Sequence, residues 1–341
     1  MASLRGPRNQ PAAVAQRDMP QGRAATVPAV AQTEAAPDWA RDRERSNALM
    51  LRVMTWISLR LGRASARVVL WGIAAYFLAF APAARRASRA YLTRVLGRRP
   101  GWRERFGHIH AFASTVHDRV FLLNDRADLF DIRCRGVEHI EAALRPGRGA
   151  LLLGAHFGSF EVLRAVGQLR GRLRVSLLMY PDNARKINAA LHAINPDAEQ
   201  DIIALGRADS MLRVGEALDA GGVVGILADR SLHERDVVRR DFLGAEASWP
   251  IGPLRIAALL GRPVLFMAGV YRGGNRYEVV FEPLADFSGV ARAQRAARVD
   301  AALGRYVELL EQQCRAAPDN WFNFFDFWED PACARGASST R

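Results

Sequence analysis

His156 and Glu161 stand five positions apart in the stretch LLLGAHFGSFEV, residues 151–162. An imidazole titrates near neutrality, and a carboxylate can orient and charge-balance it, so the two together suit general base chemistry on a hydroxyl. On a regular helix a spacing of five sets side chains about 140° apart, and they would not meet. The pair makes sense at a junction, with His156 in a turn and Glu161 in the first turn of a helix. There the ring can fold back over the helix start and reach the carboxylate. The helix N-terminus disfavours the imidazolium while the carboxylate favours it and fixes the tautomer. That balance would hold His156 neutral, oriented and able to take a proton. A buried histidine satisfied by a helix-start glutamate fits the same residues, and the pair alone does not choose. Zinc needs three or four protein ligands, and no third His or Cys lies near in the chain, so a metal site is not expected.

The elements that must position this pair are short. Ala150–Leu153 is a continuous apolar run bounded by turn formers, which reads as a buried strand. Ser159 suits an N-cap, and Phe160, Val162, Leu163 and Val166 supply the apolar face of a helix. Strand, tight turn with Gly158, and helix follow one another. The turn reads Gly154-Ala155-His156-Phe157-Gly158, with histidine where a G-x-S-x-G elbow would hold its nucleophile. That favours a histidine base acting on a hydroxyl over covalent catalysis. No P-loop or dinucleotide fingerprint occurs.

The rest of the globular part alternates strands and helices. Trp102–Leu123 is a helix carrying His108, His110 and His117, which read as surface or packing residues. Strands are expected at Phe130–Cys134, Arg174–Tyr180, Val223–Ala228, Pro263–Val270 and Tyr277–Phe281. Helices are expected at Val137–Leu144, after Tyr180, and at Ala208–Leu218, Pro253–Leu260 and Ala291–Cys314. Residues 231–250 read as a long charged loop. The pattern predicts an α/β fold, a mostly parallel sheet flanked by helices on both faces. Ligands of such sheets sit beyond the carboxyl ends of strands, where His156 and Asp229 both fall.

The chain of 341 residues carries a formal net charge of +13. Residues 51–110 hold twelve arginines against one acid, Glu104, so +11 of that charge is concentrated there. Within it runs VVLWGIAAYFLAFAPAA, residues 68–84, uncharged and bracketed by Arg67 and Arg85. Seventeen residues is the lower limit for a membrane span. Arg60, Arg63 and Arg67 form one helical stripe just upstream, as in an interfacial segment facing anionic lipid. An anionic membrane surface is therefore the expected partner of this region. Nucleic acid is not expected, because a long apolar block is a poor groove reader. Residues 1–47 read as a disordered tail, 48–125 as a basic, membrane-associated helical region, 126–330 as the α/β domain and 331–341 as a flexible tail. Cys134, Cys314 and Cys333 form neither a disulfide framework nor a CxxC, in keeping with a reducing compartment.

The motifs in order resemble those of the lysophospholipid acyltransferase superfamily, and within it the bacterial lipid A late acyltransferase branch. The residues carrying the likeness are GRGALLLGAHFGSFEVLRA (147–165), a His-x4-Glu form of the superfamily's His-x4-acid motif, and GGVVGILADR (221–230). DFLGAEASWPIGPLRIAALLGRPVLFM (241–267) and the aromatic block NWFNFFDFW (320–328) follow. The resemblance implies a glycerolipid acyltransferase-like fold at the cytoplasmic face of a bacterial inner membrane. It implies His156 as base, Glu161 as the residue that orients it, and Asp229 in the substrate pocket. The donor it implies is an acyl thioester on acyl carrier protein or coenzyme A, the acceptor a lipid, with no cofactor and no metal. The chain departs from the branch in two places. Tyr180-Pro181 lacks the intervening arginine of Tyr-Arg-Pro, and Asp229-Arg230-Ser231 stands where Asp-Gln-Asp is usual. Arg185 or Arg230 would compensate, and the loop arginines Arg235, Arg239 and Arg240 would meet phosphate or an acidic carrier. The aromatic block would line an acyl tunnel, sit at the membrane interface, or simply close the core. A non-catalytic membrane-bound lipid-binding protein that retains the fold is the alternative.

Overall fold

The computed structural model describes residues 48–145, 147–169, 173–181, 201–207, 209–230 and 237–328. The expected tails, most of the helix after Tyr180, and the candidates Arg185 and Arg235 lie outside the described residues. Everything described belongs to one unit, Ala36–Arg341.

Five short strands come first in the chain: β1 (Asp131–Arg135), β2 (Ala150–Gly154), β3 (Val175–Met179), β4 (Asp201–Ala204) and β5 (Val223–Leu227). Then follow β6 (Val237–Phe242), β7 (Ala245–Pro250), β8 (Pro263–Tyr271) and β9 (Arg276–Asp286). Seven of them make one sheet in the order β1-β9-β8-β2-β5-β3-β4. Its pairings are parallel except β8 with β9, which are antiparallel across the tight turn at Gly273-Gly274. β2, at the middle, is buried at every position. Its side chains alternate between two cores, as strand geometry requires. Leu151 and Leu153 enter one and Ala150 and Leu152 the other.

Helices supply both covers. Described in chain order they are α1 (Ala48–Phe80), α2 (Pro82–Leu96), α3 (Trp102–Leu122), α4 (Val137–Leu144), α5 (Glu161–Leu169), α6 (Ser210–Asp219), α7 (Gly252–Leu260) and α8 (Arg295–Ala316). The core on the Leu151 side takes Tyr91 and Leu92 of α2, Val214 of α6, Leu254 of α7 and Tyr306 of α8. The core on the Leu152 side takes Phe121 of α3, Ile140 of α4, and Val162 and Val166 of α5. The expected α/β architecture, a mostly parallel sheet between helices, is what forms.

The expected loop over 231–250 is corrected in its second part, where β6 and β7 pair as an antiparallel hairpin. Leu243 and Gly244 at its tip both carry positive φ, 53° and 78°. That backbone matches the twist of a two-residue hairpin turn, for which Asn-Gly is the usual signal. Leucine pays a steric cost there. It is offset by burial of the side chain and by the Leu243 N–H donating to Glu311 Oε2 at 2.7 Å. β4 is an addition to the expected strands, and β9 runs to Asp286, five residues past its expected end.

α1 breaks its helical geometry at Gly62 (φ 78°, ψ 169°). Arg63, just after the break, donates Nε and Nη2 to Asp118 Oδ1 and Oδ2 of α3 at 2.8 and 2.9 Å. Asp118 is wholly buried and also accepts from Tyr277 OH at 2.9 Å. His117 Nε2 lies 2.8 Å from Ser58 Oγ. From Gly62 to Phe80 the helix is 19 residues long and apolar enough to cross a membrane, with Val68, Trp71, Tyr76 and Phe80 exposed.

Candidate active site

Register explains how the site assembles. β2 and β5 pair in parallel with Gly154 opposite Leu227. Two residues further on each strand therefore bring His156 opposite Asp229. The Ala228 N–H donates to Gly154 O at 2.9 Å and carries the alignment past the strand ends. Tyr306 OH of α8 donates to the same Gly154 carbonyl at 2.8 Å.

His156 Nδ1 lies 2.8 Å from Asp229 Oδ1, and the His156 backbone N–H donates to Asp229 Oδ2 at 3.0 Å. Asp229 is fully buried while the His156 side chain is 30% exposed. Burial alone would push the Asp229 carboxyl upward. The positive charge of His156, its hydrogen bonds and the Arg230 guanidinium outweigh burial and hold the carboxyl below the usual carboxylate range. An ionised carboxylate only accepts, so Nδ1 donates to Asp229 and carries a proton. A carboxylate bonded to one ring nitrogen fixes the ring's orientation and tautomer.

At Nδ1 the ring meets Asp229, whereas the residue expected to orient it is Glu161. Glu161, at the first position of α5, forms an ion pair with Arg119 Nε of α3 at 2.6 Å and accepts from Ser159 Oγ at 3.0 Å. Ser159, expected to cap the helix, spends its hydroxyl on that carboxylate. Gly158 takes φ 62° and sits against β8, where an added Cβ would fall 1.9 Å from Gly269 O. The turn therefore has no room for a side chain at 158. Arg230 donates Nε to Asn323 Oδ1 at 2.7 Å and Nη2 to Phe322 O at 3.2 Å, and its guanidinium lies 5.3 Å from the Phe325 ring centre. Arg240 stands on β6, bonded to Arg239 O and ion-paired with Asp300 of α8. The structure brings together His156, Asp229, Arg230 and Gly158; Glu161 is on the adjoining helix start, and Arg240 is held by α8.

The aromatic block closes the site from the other side. Phe322 N–H donates to His156 O at 2.7 Å and Gly158 N–H to Asn320 O at 2.8 Å, so the chain from 320 to 322 pairs with the turn. Trp321 Nε1 and Asn323 Nδ2 donate to Asp229 Oδ2 at 3.1 and 2.9 Å. Asn320 grips β8 through both the N–H and the C=O of Tyr271. Within the block the sequence alone does not set these three residues apart. The signal for them was polar atoms, Asn320, Trp321 and Asn323, in an otherwise apolar run that has to be buried.

Behind Trp321, His108 of α3 is fully buried, with Nε2 2.8 Å from Trp321 O and Nδ1 2.9 Å from Ser88 Oγ. A carbonyl only accepts, so Nε2 carries the proton and Ser88 donates to Nδ1. Burial lowers the His108 pKa to about 4 against the upward pull of the Trp321 carbonyl. The folded value lies below the unfolded one near 6.5, so this contribution to stability is complete above about pH 6.5 and is lost as pH falls toward 4. We expect on the order of 3 kcal/mol to be lost across that window. Asp319, pushed up to about 6 by burial and by the charge of Glu104, acts in the opposite sense. Thermal melts of wild type and His108→Asn between pH 4 and 8 isolate the term: the variant should be less stable at pH 7 but lose less on acidification. Equal slopes would show that His108 is not the titrating group.

Among the described residues no three His, Cys, Asp or Glu side chains are grouped as a metal site.

A histidine bonded to a buried aspartate thus lies past the carboxyl edge of a mostly parallel sheet, where α/β folds bind their ligands. Residues 45–329 match the family described as bacterial lipid A biosynthesis acyltransferase, and the chain belongs to that family. The family's chemistry is acyl transfer to a lipid acceptor. A comparison with curated proteins finds no match.

Proposed function

We propose that this protein moves a fatty acyl group from a thioester, carried on acyl carrier protein or coenzyme A, to a hydroxyl of a lipid acceptor. The observation that carries the reading is the 2.8 Å contact between His156 Nδ1 and the buried Asp229 carboxylate, which fixes the ring and supports Nε2 in the role of base. In the proposed step Nε2 removes the acceptor's hydroxyl proton as the oxygen attacks the thioester carbonyl. The carbon–sulfur bond then breaks, and the imidazolium returns the proton to the departing thiolate. Asp229 stabilises the imidazolium while it exists, as a buried carboxylate does for a histidine base. Glu161 fixes the turn from the helix side through Ser159 and Arg119. Arg230, and Arg185 outside the described residues, are the proposed contacts for anionic groups of donor or acceptor, with Arg240 meeting an acidic carrier. The test incubates the purified protein with palmitoyl-acyl carrier protein or palmitoyl-coenzyme A and a total bacterial lipid extract, followed by mass spectrometry. A lipid gaining one palmitoyl group, at a rate that depends on the protein, is expected. Lipid that co-purifies with the protein and is never acylated would support the binding-protein alternative.

The proposed site of action is the cytoplasmic face of the inner membrane, with the segment Gly62–Phe80 seated in lipid. What supports this is the exposure of Val68 and Phe80, 72% and 64%, on an apolar helix followed by Arg85, Arg86 and Arg89. An aspartate within a lipid-seated helix is unfavourable, most strongly at its centre, where it costs about 2.5 kcal/mol or more. Val68→Asp with Phe80→Asp should therefore shift most of the protein from the membrane pellet to the soluble fraction. An unchanged pellet fraction, with the fold intact, would place the attachment elsewhere.

A further inference from the structure

We propose that Asn323 is a positioning residue of this centre, whose amide holds the Asp229 carboxylate with Oδ1 turned toward His156 Nδ1. The inference rests on the reading of His156 as the base.

A carboxylate can rotate about its last bond, and Asp229 is fully buried. Its two oxygens are treated differently. Oδ2 receives three donors, the His156 backbone N–H at 3.0 Å, Trp321 Nε1 at 3.1 Å and Asn323 Nδ2 at 2.9 Å. Oδ1 faces His156 Nδ1 at 2.8 Å. Concentrating donors on one oxygen fixes the rotation and reserves the other for the imidazole.

Of the three donors, Asn323 alone is a group whose two ends could be exchanged. Arg230 settles which way it points. A guanidinium donates and never accepts, so the atom 2.7 Å from Arg230 Nε has to be the amide oxygen. The amide nitrogen then has to face Asp229. Arg230, Asn323, Asp229 and His156 therefore form a relay in which every group has one permitted role. Asn323 also stands between a guanidinium and a carboxylate that would otherwise pair directly. Without it, Arg230 would compete with His156 for Asp229. Asn323 is itself 1% exposed, and the bonds from Phe322 and Asn320 to the His156 turn hold its segment in place.

The test uses the full chain and two measurements, one of them independent of turnover. Nitrogen NMR of the histidine-labelled protein reads the His156 tautomer and the Nδ1 proton. Acyl transfer from palmitoyl-coenzyme A or palmitoyl-acyl carrier protein into total bacterial lipid extract gives kcat and KM. In Asn323→Ala we expect kcat to fall by about tenfold to a hundredfold, the scale of a misplacement near 1 Å, with KM within about threefold. The Nδ1 proton signal should weaken and the tautomers should mix. Asn323→Ser, whose hydroxyl can still donate to Asp229 and accept from Arg230, should recover part of both signals, and it replaces the alanine variant if that one does not fold. A single tautomer retained in Asn323→Ala or kcat within about twofold of wild type would overturn the proposal, as would equal losses in the alanine and serine variants. Full transfer by His156→Ala alongside a disturbed tautomer in Asn323→Ala would instead refute the base, leaving the positioning intact.

Discussion

His156→Ala should transfer acyl groups at least about a hundredfold more slowly than wild type, the loss expected when a positioned base is removed. The imidazole is partly exposed and its loss opens little of the core, so the melting temperature should stay within a few degrees of wild type. KM for the thioester should change little, because the proton transfer belongs to the transition state. Initial rates with the lipid extract, measured on protein whose melting curve has been recorded, check this. Near-normal transfer by folded His156→Ala would remove His156 from the reaction.

Asp229→Asn should come close to the same loss by a different route. The asparagine amide can donate to Nδ1 where the carboxylate could only accept, which drives the proton to Nε2 and blocks the base. It also removes the charge that stabilises the imidazolium, and a buried neutral amide replaces a group with four donors aimed at it. We expect a fall of about a hundredfold to ten-thousandfold, the scale seen when a histidine base is held in the wrong tautomer. Glu161→Gln keeps an acceptor for Ser159 and loses only the ion pair to Arg119, so it should cost less, on the order of tenfold. The ranking is the decisive reading. If Glu161→Gln loses as much as His156→Ala while Asp229→Asn stays active, Glu161 and not Asp229 orients the base.

Local features of the chain were legible. The buried run Ala150–Leu153, the glycine turn and the helical face after Ser159 placed His156 at a strand-to-helix junction, because each of these signals lies within about a dozen residues. The partner at Nδ1 was not legible, since Asp229 is 73 residues away and meets His156 through the register of β2 on β5. Both strands were recognised, but which neighbours which is decided by the whole sheet. The hairpin at 237–250 was hidden for another reason. Its turn is Leu243-Gly244, and the positive φ of Leu243 is sustained by Glu311 from α8 and not by a turn-forming residue type. The polar atoms of Asn320, Trp321 and Asn323 were visible but had no assigned partners, because they bond Tyr271, Asp229 and Arg230, which lie 49 to 94 residues upstream.

The ion pair between Arg63 and Asp118 has a consequence for inheritance. Asp118 is adjacent to Arg119, which holds Glu161, so one turn of α3 is fastened to the apolar helix on one side and to the histidine motif on the other. A buried carboxylate stripped of its cation costs about 3–5 kcal/mol, a large part of the stability of an ordinary domain. A gene fusion or recombination that exchanged the first helix for another apolar segment would leave Asp118 in that state unless the new segment supplied its own cation at the same height. Lineages of this chain should therefore change the helix and Asp118 together or not at all.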